Sequence, residues 1–131
     1  MNSGAHSRIL LVDDNPSVRA AIRSFFLSET KFDVCGEAQD GLSALQKAKE
    51  LRPDVIVMDL SLPLLNGAEV SAAVKSELSG IKVVAFSMYA DELGKAIAPT
   101  FRIDAMLPKA LGVKALAETI ERLLGCHSMP L

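Results

Sequence analysis

Short, wholly apolar runs alternate with longer amphipathic ones along this chain. Ile9-Leu10-Leu11-Val12 has no polar position, the pattern of a strand buried on both faces. Pro16 suits the first turn of a helix and Asn15 its cap. Val18, Ala21, Ile22, Phe25 and Phe26 then follow at helical spacing. Phe32 to Ala38 reads as a second strand, less apolar and therefore at a sheet edge. Asp40 to Glu50 reads as a helix with Leu42, Leu45 and Ala48 inward, broken at Arg52-Pro53-Asp54. Val55 to Met58 is a third strand and again wholly apolar. A loop with Pro63 and Asn66-Gly67 leads to a helix with Val70, Ala73 and Val74 on one face, ended near Gly80. Val83 to Phe86 is a fourth buried strand. A shorter helix is expected over Asp91 to Ala98, ended near Pro99, and Ala105-Met106-Leu107 is a short fifth strand. Val113, Leu116, Ala117, Ile120, Leu123 and Leu124 form the clearest helical stripe, stopped by Gly125.

Five strands alternating with five helices predict an α/β fold, a single parallel sheet with helices on both faces. The chain has 131 residues, half of them hydrophobic and 23% charged, with a formal net charge of −2. That suffices for one domain with its own core. Expected boundaries are a disordered lead over 1–7, a domain over 8–125 and a tail over 126–131. The near-neutral charge argues against direct nucleic-acid binding, which draws on a basic stripe or patch. No apolar run approaches the ~20 residues of a membrane span, and no apolar signal segment opens the chain. Cys35 and Cys126 do not imply a disulfide framework, and two reduced thiols fit a cytoplasmic protein.

In open parallel sheets, ligands sit beyond the carboxyl ends of the strands, where strand order reverses. Asp13-Asp14 ends the first strand, Asp59 the third and Ser87 the fourth, while the fifth runs into Pro108-Lys109. With strand order 2-1-3-4-5 these positions are neighbours. Taken singly, Asp13 and Asp14 could cap a helix, Ser87 a turn, and Lys109 could be a solvated surface residue. Taken together, three carboxylates make sense if a hard cation occupies them, and oxygen-only donors with room for water suit Mg²⁺. Lys109 supplies the balancing charge and Ser87 a hydroxyl donor. Phosphoryl transfer to a carboxylate asks for such a set: an in-line nucleophile, a metal, and cationic or donor groups on the phosphoryl oxygens.

From Ser7 to Leu124 the chain resembles the receiver domain of two-component response regulators. The matching stretches are Ile9 to Asn15, Gly36-Glu37-Ala38-Gln39-Asp40-Gly41, Pro53 to Asp59, Leu62 to Gly67, Phe86 to Asp91 and Leu107-Pro108-Lys109. The Gly-Glu-Ala and Ser-Met-Tyr phrases are most similar to receivers of helix-turn-helix DNA-binding regulators. The resemblance implies a doubly wound, flavodoxin-like (CheY-like) sheet of order 2-1-3-4-5. It implies Asp59 as phospho-acceptor, Asp14 and Asp59 on Mg²⁺, Asp13 acting through a water, and the main-chain carbonyl of Ser61 as a further ligand. Ser87 becomes the switch hydroxyl and Lys109 the partner of the phosphoryl oxygen. The chain would be a signalling switch that catalyses its own phosphorylation and dephosphorylation, not an enzyme on an external substrate.

Implied partners are a sensor histidine kinase or phosphotransfer protein, a C-terminal DNA-binding domain that this chain lacks, and a phosphorylation-dependent homodimer. The responsive face would comprise the fourth helix, fifth strand and fifth helix, with Asp91, Glu92, Lys95, Arg102 and Lys114. Met106 stands where relatives often have Tyr or Phe, and Lys109 precedes Ala110 where many have proline. Tyr89 is expected to lean over the acyl phosphate and limit water attack. Two rival readings contrast with this. A degenerate, phosphorylation-independent binding module is opposed by intact Asp14, Asp59, Ser87 and Lys109. A flavin- or dinucleotide-binding enzyme needs a Gly- or Ser/Thr-rich phosphate loop, whereas Asp-Asp-Asn-Pro follows the first strand here.

Overall fold

The computed structural model describes residues 7–29, 31–60, 66–88 and 102–125. The wholly apolar runs form the middle of the sheet. β1 (Ser7–Val12) lies between β2 (Phe32–Ala38) and β3 (Val55–Met58), followed by β4 (Lys82–Ser87) and β5 (Ala105–Pro108). All pairings are parallel and the order is 2-1-3-4-5, as the resemblance implies. The less apolar β2 is indeed an edge. Its register against β1 slips by one residue, Ile9 facing Val34 and Leu10 facing Gly36, so Cys35 has no partner position. β1 starts at Ser7, whose N–H donates to the carbonyl of Lys31 at 2.9 Å. That extends the strand into the last position of the expected lead.

Because side chains alternate along a strand, each strand feeds two cores. Leu10, Val12, Ile56, Met58 and Val83 pack on one face, under α2 (Gly41–Leu51) and α3 (Gly67–Glu77). Ile9, Leu11, Val55, Val57, Val84 and Phe86 pack on the other, under α1 (Pro16–Leu27) and α4 (Gly112–Leu123). This α4 is the stripe ended by Gly125, entered through a 3₁₀ turn over Lys109–Leu111. The helix expected over Asp91 to Ala98 lies outside the described residues, as do residues 1–6 and 126–131.

The starts of α1, α2 and α3 are capped by side chains, whereas α4 follows Leu111 with no side-chain cap. Asn15 accepts from the N–H groups of Ser17 and Val18, and Asp40 from that of Ser43. Asn66 and Glu69 form a reciprocal capping box. The inward face of α2 differs from expectation. Ala44 and Ala48 are buried while Leu42 is 56% exposed. The apolar stripe runs through Gly41, Ala44, Leu45 and Ala48, so small residues set the helix against the sheet, and Leu42 falls on the far side.

Phe26 is fully buried and stacks edge-on with Phe25 and obliquely with Phe32. We expect Phe26→Ala to cost about 3–5 kcal/mol, read from the denaturation midpoint in urea, through the cavity it opens between α1 and the sheet.

Candidate functional site

The crossovers bring the carboxyl ends of β1, β3, β4 and β5 to one edge of the sheet, and the polar residues that end them meet there. Asp59 follows β3 and is 6% exposed. Its Oδ1 accepts a hydrogen bond from Ser87 Oγ at 2.8 Å, and its Oδ2 one from Lys109 Nζ at 2.8 Å. Lys109 also reaches Asp13 Oδ2 at 2.7 Å, so one ammonium bridges two carboxylates. Asp13 is 4% exposed, and its Oδ1 accepts from the N–H of Asn15 at 2.9 Å. Asp14 is exposed. Carboxylate oxygens of Asp13, Asp14 and Asp59 all lie within 4.8 Å of one another.

The electrostatics follow from this packing. Burial disfavours the charged form of Lys109, but its hydrogen bonds to Asp13 and Asp59 and their two negative charges outweigh that, and its pKa is raised. The ammonium is therefore a fixed charge at any ordinary pH. Ser87 is completely buried. A buried hydroxyl needs a partner, and this one donates to Asp59.

Of the residues expected at the site, Asp13, Asp14, Asp59, Ser87 and Lys109 come together. Met106 lies on β5 beside Ala85 of β4, partly buried. Ser61 and Tyr89 lie outside the described residues. Among the described residues no peptide bond is cis, so the Lys109–Ala110 bond is trans.

Three contributors carry no sequence signal strong enough to single them out. Gly67 opens α3 beneath Asp59. A Cβ there would stand 2.3 Å from the main-chain oxygen of Asp59 and 2.9 Å from the Cα of Leu60, both backbone atoms, so only glycine lets α3 start so close to the strand end. Asn66-Gly67 reads as loop punctuation and gives no hint of that approach. Arg19 donates to the main-chain carbonyl of Asp13 at 2.5 Å, and Glu37 accepts from Arg19 and Arg23. These pairings tie α1 to the turn before it and to β2, and leave no local pattern.

The family model described as response regulator receiver domain matches residues 9–121. The response regulator protein VraR of Staphylococcus saprophyticus is 35% identical over 115 residues, covering 88% of this chain and 55% of VraR. The chain thus spans about half the length of the curated relatives it matches. The signal receiver domain of NarL from Mycobacterium tuberculosis superposes with a TM-score of 0.88 at 25% identity, covering 94% of this chain and 99% of that one. A two-component response regulator of the LuxR family from Aurantimonas sp. SI85-9A1 gives 0.86 at 28% identity, covering 92% and 86%.

The bridging ammonium generates a direct expectation. Lys109→Met keeps the stem but leaves Asp13 and Asp59 without their shared cation. In metal-free buffer at pH 7 it should lower folding stability by roughly 1–3 kcal/mol, measured by urea unfolding.

Proposed function

The chain belongs to the response regulator receiver domain family, and from that premise we propose that it is a phosphorylation-controlled switch with Asp59 as the acceptor. The observation that carries this reading is the setting of the Asp59 carboxylate. One oxygen is held by the buried Ser87 hydroxyl and the other by the Lys109 ammonium. A phosphoryl group added here meets a cation and a hydroxyl donor already in place.

The donor set also fits Mg²⁺. It consists of oxygens only, with two buried carboxylates and one exposed, close enough to share one ion. Asp14 and Asp59 would hold it directly, Asp13 through a water, and the Ser61 carbonyl would complete the set. When bound, the ion neutralises charge on the phosphoryl oxygens. The protein's own residues do the rest. Asp59 attacks the phosphorus of a phosphohistidine on a sensor kinase or phosphotransfer protein. An O–P bond forms, the donor's P–N bond breaks, and the imidazole keeps the electron pair. Lys109 then pairs with a phosphoryl oxygen and Ser87 donates to another. The same residues support hydrolysis of the acyl phosphate, with Tyr89 limiting access of water.

The added group brings roughly −1.5 to −2 charge and three strong acceptors. Swinging a population from 1:99 to 99:1 takes ~5.5 kcal/mol. One charge-assisted hydrogen bond supplies ~1.5–3 kcal/mol, so both the Ser87 and Lys109 contacts are needed. Ser87 ends β4 opposite Pro108 of β5, so its movement reaches β5 directly, where Met106 offers a pliable apolar side chain instead of a ring. The output is a DNA-binding segment of the kind carried by LuxR-type regulators, engaged in the cytoplasm through a phosphorylation-dependent homodimer. Among the described residues no helix is long and apolar enough to cross a membrane.

Incubation with Mg²⁺ and acetyl phosphate, followed by intact-mass measurement, should add one phosphoryl group. Asp59→Ala or a chelator should abolish it, and an unmodified wild-type mass beside a reacting control receiver would refute the acceptor role. Ser87→Ala should still be phosphorylated. It should lose most of the phosphorylation-induced amide shifts in β4 and β5, because the remaining ~1.5–3 kcal/mol cannot complete the swing.

A further inference from the structure

Both main-chain groups of Asp13 are tied down. Its N–H donates to the carbonyl of Ala38 at the end of β2, at 3.1 Å. Its carbonyl accepts from Arg19 Nη1 at 2.5 Å. Arg19 closes the first turn of α1, is only 16% exposed, and turns its Nε to Glu37 Oε1 at 3.1 Å. Glu37 is held in turn from both flanking helices. Arg23 of α1 donates to Oε2 at 2.5 Å, and Lys47 of α2 donates to the Glu37 main-chain carbonyl. A planar guanidinium with donors in two directions thus locks the β1–α1 turn to the end of β2.

We propose that Arg19 is a positioning residue for divalent-cation binding, which it controls by fixing the turn that carries Asp13 and Asp14. The proposal rests on the reading that these carboxylates and Asp59 take Mg²⁺. Consecutive residues project their side chains in different directions, and the two carboxylates repel each other. For both to serve one ion the turn between β1 and α1 must be held against that repulsion. Arg19 holds it through the main-chain carbonyl of Asp13, leaving the Asp13 and Asp14 carboxylates to the ion. Arg23 supplies the internal control, since it pairs with the same Glu37 carboxylate yet makes no contact with Asp13 among its hydrogen bonds.

The test is a Mg²⁺ titration of ¹⁵N-labelled protein followed by amide shifts, with melting temperatures in chelator recorded alongside. Arg19→Met should raise the Mg²⁺ Kd roughly tenfold, the lower end of what loss of an outer-shell partner costs a metal site. Arg23→Met should stay within about twofold of wild type, as expected for a half-exposed ion pair. Arg19→Lys keeps the charge but cannot span both acceptors, so it should group with Arg19→Met; it also carries the comparison if the methionine variant does not fold. An unchanged Kd in the Arg19 variants overturns the proposal. Equal weakening by Arg19→Met and Arg23→Met also overturns it, since loss of the Glu37 pairing would then explain the effect. If wild-type protein shows no Mg²⁺-dependent shifts, the metal reading itself falls and this inference falls with it.

Discussion

The structure turns on holding like charges together at one edge of the sheet. Two carboxylates at ~4 Å repel by about 4 kcal/mol at the effective dielectric typical of a protein surface, and a third stands beside them. Lys109, bridging Asp13 and Asp59, makes the resting arrangement tolerable. The topology makes it unavoidable, because a parallel sheet of order 2-1-3-4-5 delivers the ends of β1, β3 and β4 to adjacent places. Fold stability and site chemistry are therefore in opposition here. The two apolar cores, one on each face of the sheet, hold the strand ends in place against the repulsion.

This division of labour accounts for what could be read in advance. The central strands were legible because burial on both faces leaves wholly apolar runs such as Ile9 to Val12 and Val55 to Met58. Asp13, Asp59 and Ser87 were legible because each follows directly on a wholly apolar run, and a polar residue at that place calls for an explanation. What escaped was whatever depends on how the folded elements are set against one another. Leu42 reads as an inward leucine, yet small residues set the face of α2. Gly67 reads as a turn residue, yet its role is to let α3 approach the backbone of Asp59. Nothing in the local pattern marks Arg19, and only the fold shows it anchoring the turn of Asp13.

On the proposed mechanism, Mg²⁺ apart, the resting site already contains the protein groups that contact the phosphoryl group. Ser87 and Lys109 both sit on the acceptor carboxylate before any phosphoryl group arrives. Little has to be recruited from outside, and the change consists of redirecting existing contacts. Because Ser87 belongs to β4 and Lys109 follows β5, both redirected contacts pull on neighbouring strands at the same side of the sheet. A response confined to that side leaves the α1 and β2 side free to hold the turn of Asp13 and Asp14 steady.

The slipped register of β2 has a consequence of another kind. An open sheet ends in a strand whose outer backbone groups are available to a second sheet, and such edges invite aggregation. In β2 the slip at Cys35 interrupts the regular spacing of those groups, and the exposed Asp33 adds a charge. Both features disfavour edge-to-edge pairing between copies. The β2 edge is thereby a poor place for two copies to join their sheets.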